Sequence, residues 1–119
     1  MFTLNFDDNA VARLEKYFND DYTVLMDFDD GVGPFTEHGA SCTLDVAFRI
    51  IIVAKDTDIK DYQQVINTNL GPMLGKEYAN YALNDVMKIT LQPTFNRWEL
   101  KGESETIDPA LQIVTKYVA

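Results

Sequence analysis

The sequence predicts an α+β domain that is rich in β-strands, with largely antiparallel sheets in a sandwich or flattened barrel and one main helix near the amino terminus. One early segment has helical spacing, and about six or seven others have the alternation or composition of strands. The connections between them are too short for repeated βαβ crossovers. A chain of 119 residues has the usual length of one domain, which we expect to span 1–119.

The amino-terminal part predicts a strand followed by the helix. Apolar residues alternate with polar ones from Phe2 to Phe6, which is typical of a strand. Apolar residues then recur with helical spacing, which predicts a helix from about Asp8 to Phe18. Asp7 and Asp8 are suitable N-cap residues for this helix.

Two stretches give the clearest strand signals. Tyr22–Phe28 is rich in strand-forming residues, and Cys42–Ala54 has one continuous apolar face. The opposite face of the second stretch is polar as far as Arg49 and then becomes apolar, so we expect a central strand. Glycines and a proline between them predict a loop or wide hairpin. Further strands are predicted at 62–67, 87–91, 95–100 and 111–117, whereas 70–75 must bend at its glycines and proline.

The charge balance limits the classes of partner. The chain has 19 acidic and 10 basic residues, a net charge of −9. Such a surface repels phosphate backbones and anionic lipids, so we expect no nucleic-acid or membrane partner. It suits basic proteins or cations, although acidity also serves solubility alone. The absence of a secretory signal and the single cysteine predict a cytoplasmic protein.

A candidate metal site lies at the end of the second predicted strand. Asp27, Asp29 and Asp30 form a dense group of oxygen ligands, which hard cations prefer. The spacing does not match a calcium-binding loop, because Gly31 comes one place too early. In a strand Asp27 and Asp29 share a face and Asp30 points away. A solvated strand end and turn is the alternative interpretation.

The single histidine and the single cysteine complete the list of candidate ligands. His38 lies in the predicted loop, and Cys42 lies on the apolar face of the following strand. Cys42 as a nucleophile and His38 as its general base would need a third group that orients the histidine, and the sequence has none at a recognisable spacing. We therefore expect no catalytic site and a buried, unreactive thiol. His38 is either an ordinary loop residue or a metal ligand.

Four stretches in order resemble the HesB-like family of iron–sulphur cluster biosynthesis proteins. They are Asp27–Phe35, Ser41–Val53, Asn69–Tyr78 and Lys101–Asp108. Together with the first helix, this likeness covers nearly the whole chain. More narrowly, the sequence is similar to the short variant found in lactobacilli and related bacteria.

The resemblance implies a fold and an ancestry, but its usual ligands are missing. Family members of the A type bind iron or a cluster through an early cysteine and a late Cys-Gly-Cys, whereas 103–119 contains no cysteine here. Some Gram-positive relatives have cysteines in the first Gly-rich turn, where this chain has Val32 and Pro34. The resemblance thus implies a non-catalytic accessory or binding protein that has lost thiolate ligation. Its expected partners are iron–sulphur assembly proteins, and no cofactor is expected.

Other functions stay open at this point. The chain is alternatively an acidic protein-binding module unrelated to iron, or a cation-binding protein that uses Asp27, Asp29 and His38. Labile iron or a cluster held by carboxylates and Cys42 is a further alternative. Both a monomer and a homodimer are compatible with the sequence.

Overall fold

The computed structural model describes residues 2–28, 48–77, 83–115 and 117. These residues form eight strands, one α-helix and one 3₁₀-turn. The helix α1 is Asp8–Leu14, and the 3₁₀-turn is Glu15–Tyr17. The strands are β1 Phe2–Phe6, β2 Tyr22–Phe28, β3 Phe48–Ala54, β4 Gln64–Thr68, β5 Pro72–Gly75, β6 Val86–Gln92, β7 Arg97–Lys101 and β8 Thr106–Val114.

The strands close into one mixed barrel in the order β1-β4-β5-β2-β3-β8-β7-β6. This confirms the predicted β-rich α+β class with one helix. Four neighbouring pairs are antiparallel, and the other four are parallel. The expectation of largely antiparallel pairing therefore holds for only half of the pairs. Short connections exclude parallel pairing only between consecutive strands, and every parallel pair joins strands that are not consecutive.

The helix begins where the sequence predicted and is shorter than predicted. Asp7 is the N-cap, and its Oδ1 accepts a hydrogen bond from the Ala10 amide at 2.8 Å. The same carboxylate accepts from the Leu91 amide at 3.2 Å, which ties the helix start to β6. Ala10 and Leu14 are buried in the barrel core. The last predicted turn, up to Phe18, is a tighter 3₁₀-turn instead.

The barrel interior holds the main hydrophobic core. Alternate side chains of each strand point inward, as strand geometry requires. On β2 and β3 the inward side chains are Val24, Met26, Phe28, Phe48, Ile50 and Ile52. A second, smaller buried cluster lies on the opposite face of the same two strands and contains Leu25, Ile51, Val53 and Tyr62. The prediction that β3 is buried on both faces is therefore confirmed.

The predicted bend at 70–75 is wrong in its position. The chain turns before Pro72, where Thr68 Oγ1 accepts hydrogen bonds from the amides of Leu70 and Gly71. Gly71 has φ of +143°, a conformation that side-chain-bearing residues rarely adopt. Pro72 then opens β5, a position that tolerates proline because it is the first residue of a strand.

Candidate functional site

The outer face of β2 and β3 carries a buried group of charged side chains. Asp27 and Arg49 are directly opposite each other in the antiparallel ladder. Both side chains alternate with residues that point into the barrel, so both lie on its outer face. Asp27 is nevertheless only 1% exposed and Arg49 only 3%. The two residues form the centre of what we call the Asp27 cluster, which consists of Asp27, Arg49, Tyr62 and Lys76.

Both oxygens of the Asp27 carboxylate accept hydrogen bonds. Arg49 donates to Oδ2 from Nη2 at 2.6 Å and from Nε at 3.2 Å. The Tyr62 hydroxyl donates to Oδ1 at 2.7 Å, and the Lys76 ammonium lies 3.1 Å from the same oxygen. Ionised carboxylates accept such charge-assisted bonds at short distances, and each bond also fixes the donor.

The surroundings of this cluster are apolar. The Tyr62 ring belongs to the outer hydrophobic cluster with Leu25 and Ile51, and the Lys76 Nζ lies 5.6 Å from the centre of that ring. Removing one member of a buried ion pair is strongly destabilising, because the remaining charge keeps its desolvation cost. The cluster therefore holds β2, β3 and the residue after β5 in one fixed arrangement.

Contacts in the same region fix the positions of Phe28 and Phe48, the residues on either side of 29–47. Phe28 and Phe48 form the last register pair of β2 and β3, and their ring centres are 5.2 Å apart in an edge-to-face contact. Lys76 Nζ donates to the Phe28 carbonyl at 3.3 Å. Asp108 Oδ2 accepts from the Phe48 amide at 2.9 Å, and its other oxygen accepts from the Ala110 amide. The residues that flank the segment are therefore fixed by packing and by two charged side chains.

The predicted metal ligands are only partly described. Asp29, Asp30, His38 and Cys42 lie outside the described residues, so the five-residue metal site stays a prediction. Within the described ranges, no group of three or more His, Cys, Asp or Glu side chains is arranged to hold a metal ion. Asp27 lies within about 3 Å of two protein cations, which compete electrostatically with a metal ion for its oxygens.

Sequence reasoning did not identify the partners of Asp27. Arg49 was assigned to the polar part of its strand, whereas it is buried. The available signal was one acidic residue inside the apolar stretch Tyr22–Phe28 and one basic residue inside Phe48–Ala54. Charges in buried strands are normally paired, so the two were candidates for each other. Nothing local pointed to Lys76 or Tyr62.

A surface cleft of about 490 Å³ lies on another part of the barrel, between the 3₁₀-turn, the start of β2, and β5. Tyr17, Phe18 and Tyr22 contribute aromatic surface, and the rings of the two tyrosines meet edge to face at 5.5 Å. Lys55 and Asp20 are its charged lining residues. A mostly apolar cleft of this size with a few polar groups is typical of sites that bind small molecules or partner side chains.

Among the described residues, no helix is long and apolar enough to cross a membrane.

The mixed barrel with one helix is shared with solved structures from lactobacilli. The structure of a proposed Fe–S biosynthesis protein from Lactobacillus salivarius has a TM-score of 0.83 and 37% sequence identity, covering 96% of this chain and 98% of that chain. A second proposed Fe–S biosynthesis protein, from Lactobacillus acidophilus, has a TM-score of 0.71 and 21% identity, covering 96% of this chain and 90% of that chain. The second likeness shows the fold alone. The search of curated proteins gave no match.

The family model for iron–sulphur cluster biosynthesis matches residues 2–115. The chain therefore belongs to the iron–sulphur cluster biosynthesis family. This confirms the resemblance found in the sequence.

The donor set of the chain does not fit an iron–sulphur cluster held by its own thiolates. Such clusters usually have four cysteine ligands. The full sequence contains one cysteine, Cys42, and one histidine, His38. Even two copies of the chain would supply only half of the usual thiolates.

Proposed function

We propose that this protein is a cytoplasmic, non-catalytic accessory protein of iron–sulphur cluster biosynthesis that binds protein partners and has lost thiolate ligation of a cluster. Its membership of the family supports a role in iron–sulphur cluster biosynthesis. The binding role and the loss of ligation are our inference from the donor set and from the surface of the barrel.

The observation that carries this proposal is the single cysteine. A soft iron–sulphur centre needs several thiolates, and carboxylates are poor substitutes for them. The presence of only one thiolate per chain supports a role in cluster assembly in which the protein does not itself carry the cluster.

The arrangement of Asp27 supports the same proposal. Its carboxylate oxygens are already used by Arg49, Tyr62 and Lys76. These contacts give Asp27 a structural role, because they hold β2, β3 and Lys76 together. The surface that we infer to bind a partner is the mostly apolar cleft that Tyr17, Phe18 and Tyr22 line.

The test of lost ligation is anaerobic reconstitution with ferrous iron and sulphide, followed by visible absorption and by iron and sulphide analysis. We expect substoichiometric iron and a spectrum that is the same for the natural chain and for Cys42→Ser. Stoichiometric iron and sulphide, with thiolate-to-iron charge-transfer bands that Cys42→Ser abolishes, would overturn the proposal.

The test of the accessory role is direct binding of purified assembly proteins. Immobilised chain is exposed to a purified cysteine desulphurase and to a purified scaffold protein from the same source, and binding is followed by interferometry. We expect saturable binding of at least one of them, weakened by Tyr22→Ala in the cleft and unaffected by Lys60→Ala on the exposed turn after β3. The accessory role is wrong if neither protein binds at high micromolar concentrations.

A further inference from the structure

The turn between β6 and β7 exposes an aromatic side chain to solvent. Phe95 is 78% exposed, more than any other large hydrophobic residue in the described parts of the chain. Single exposed apolar residues are ordinary on protein surfaces, so this exposure by itself indicates no function. Phe95 differs from such residues because it borders a hollow, lies in a hydrogen-bonded turn and has two arginines beside it.

The hollow beside Phe95 is lined mainly by apolar side chains. It has a volume of about 480 Å³, and its lining includes Trp98 and Leu111, which are register partners on β7 and β8. These two residues belong to the barrel core and are only 6% and 4% exposed, so they form the base of the hollow. The other lining residues are Phe95, Asn96, Arg97 and Ala110. An apolar group in this hollow would therefore contact both the core and the Phe95 ring.

Hydrogen bonds fix the conformation of the turn that carries Phe95. The Asn96 amide donates to the Pro93 carbonyl at 3.3 Å. Asn96 has φ of +50°, in the left-handed region that asparagine tolerates better than most residues. Its side-chain Oδ1 accepts a hydrogen bond from Arg13 Nη1 at 3.4 Å, which links the turn to α1. A surface that is ordered before binding loses less conformational entropy when a partner docks.

The charged residues around Phe95 are basic, although the molecule as a whole is acidic. The net charge of the chain is −9, whereas none of the six residues that line the hollow is acidic. Arg97 lines the hollow, and Arg13 reaches the neighbouring Asn96 from the last turn of α1. Both arginines are exposed, and within the described residues neither forms an ion pair. Their guanidinium groups are therefore accessible to anionic groups of a partner.

We propose that the Phe95 surface, which consists of Phe95, Arg13, Arg97 and the hollow, binds an acidic segment of a protein partner. Carboxylates of that segment pair with the two guanidinium groups, whose planar donors match a carboxylate in a bidentate arrangement. An apolar side chain of the same segment enters the hollow between Phe95 and Trp98. Aromatic and arginine side chains are the residue types that most often dominate the binding energy of interfaces. The Phe95 surface shares no residue with the 490 Å³ cleft, so this proposal is independent of the proposed function.

The composition of the Phe95 surface favours a polypeptide over a nucleic acid. Nucleic acids are also anionic, but a net charge of −9 repels a phosphate backbone, and two arginines neutralise few phosphates. An acidic polypeptide carries both the charges and the apolar side chain that this surface accommodates.

The test is a titration of the full chain with synthetic peptides, followed by tryptophan fluorescence. Trp98 is the single tryptophan of the chain and lines the hollow, so its emission reports on binding there. The probe is a short peptide in which one leucine follows every two glutamates. Two control peptides of equal length have lysine in place of glutamate or serine in place of leucine. We expect saturable binding of the probe with a dissociation constant of about 10–500 µM, and at least about fivefold weaker binding of both controls.

Several outcomes of this titration would contradict the proposal. They are the absence of saturable binding up to millimolar probe, equal binding of either control peptide, and calorimetric binding of the probe that leaves the Trp98 emission unchanged. A single-stranded oligonucleotide that binds where the probe does not would also contradict it, because the partner would then be a nucleic acid.

Substitutions on the Phe95 surface test its location. Phe95→Ala and Arg97→Glu should each raise the dissociation constant of the probe at least about fivefold, measured by calorimetry. Lys60→Glu is the matched control, because it makes the same change in net charge on the exposed turn after β3 and should leave binding within about twofold. If Arg97→Glu changes the circular dichroism spectrum, Arg13→Gln on the exposed side of α1 replaces it. Probe binding that the variants of this surface leave unchanged overturns the assignment.

Discussion

The side chain of Asn69 pairs with the backbone of Phe6 as a strand residue would. Its Oδ1 accepts a hydrogen bond from the Phe6 amide at 2.8 Å, and its Nδ2 donates to the Phe6 carbonyl at 3.1 Å. The two residues are 63 positions apart in the sequence. Asn69 follows β4, so its amide continues the β1–β4 ladder for one more residue after the β4 backbone has turned away.

Replacing Asn69 with Asp should destabilise the protein although the shape of the side chain is kept. A carboxylate still accepts from the Phe6 amide but has no donor for the Phe6 carbonyl, which is left facing a negative charge. We expect a loss of about 1–3 kcal/mol in the free energy of unfolding, measured by urea denaturation. Asn67→Asp makes the same chemical change at an exposed residue of β4 whose side chain makes no hydrogen bond within the described residues, and it should leave the urea midpoint almost unchanged. Equal effects of the two substitutions would contradict this role of Asn69.

Asp27→Ala should be among the most destabilising single substitutions in the chain. It removes the carboxylate that Arg49 and Lys76 share, while both cations stay buried. Breaking a buried ion pair in this way costs about 3–5 kcal/mol. The measurement is equilibrium unfolding in urea, with Asp61→Ala on the exposed turn as the control. A loss below about 1 kcal/mol would mean that the cluster relaxes or admits water.

Tyr62→Phe tests the contribution of the hydroxyl group in the Asp27 cluster. The ring keeps its place beside Leu25 and Ile51, and only the hydroxyl that donates to Asp27 at 2.7 Å is lost. Hydrogen bonds to charged groups contribute about 1.5–3 kcal/mol, so we expect a loss of that size in unfolding free energy. Tyr22→Phe is the control, because the Tyr22 hydroxyl makes no hydrogen bond within the described residues. If Tyr62→Phe is as mild as this control, the hydroxyl does not contribute to stability.

Gly71→Ala should destabilise the turn between β4 and β5 through the backbone. Gly71 has φ of +143°, and an added Cβ would also lie 3.3 Å from the Phe18 ring. A residue with a side chain in such a conformation costs about 1–3 kcal/mol. Because most of this strain is in the backbone, making the substitution in a Phe18→Leu background should cost nearly as much. A double-mutant cycle in urea measures this, and full recovery in the Phe18→Leu background would assign the cost to the ring contact instead.

Local pattern was enough for the elements whose periodicity is strong. Strand β1, the N-cap at Asp7, strand β2 and both buried faces of β3 follow from residues within a few positions of each other. Short local signals were less reliable. Phe95 was placed in a strand, but it lies in the turn before β7, and Pro72 was placed in a bend, but it opens β5. In both cases the position at which pairing starts depends on the neighbouring strand, and the local sequence contains no information about that strand.

By itself, then, the sequence determined the β-rich class, the early helix, the acidic surface, the family resemblance and the scarcity of thiolates. These depend on composition and on the spacing of nearby residues. Only the tertiary structure decided which strands pair in parallel, and only it joined Asp27 to Arg49, 22 positions away, and to Tyr62, 35 positions away. The physical reason is that a charge within an apolar strand needs a buried partner, but barrel closure selects that partner from distant parts of the chain.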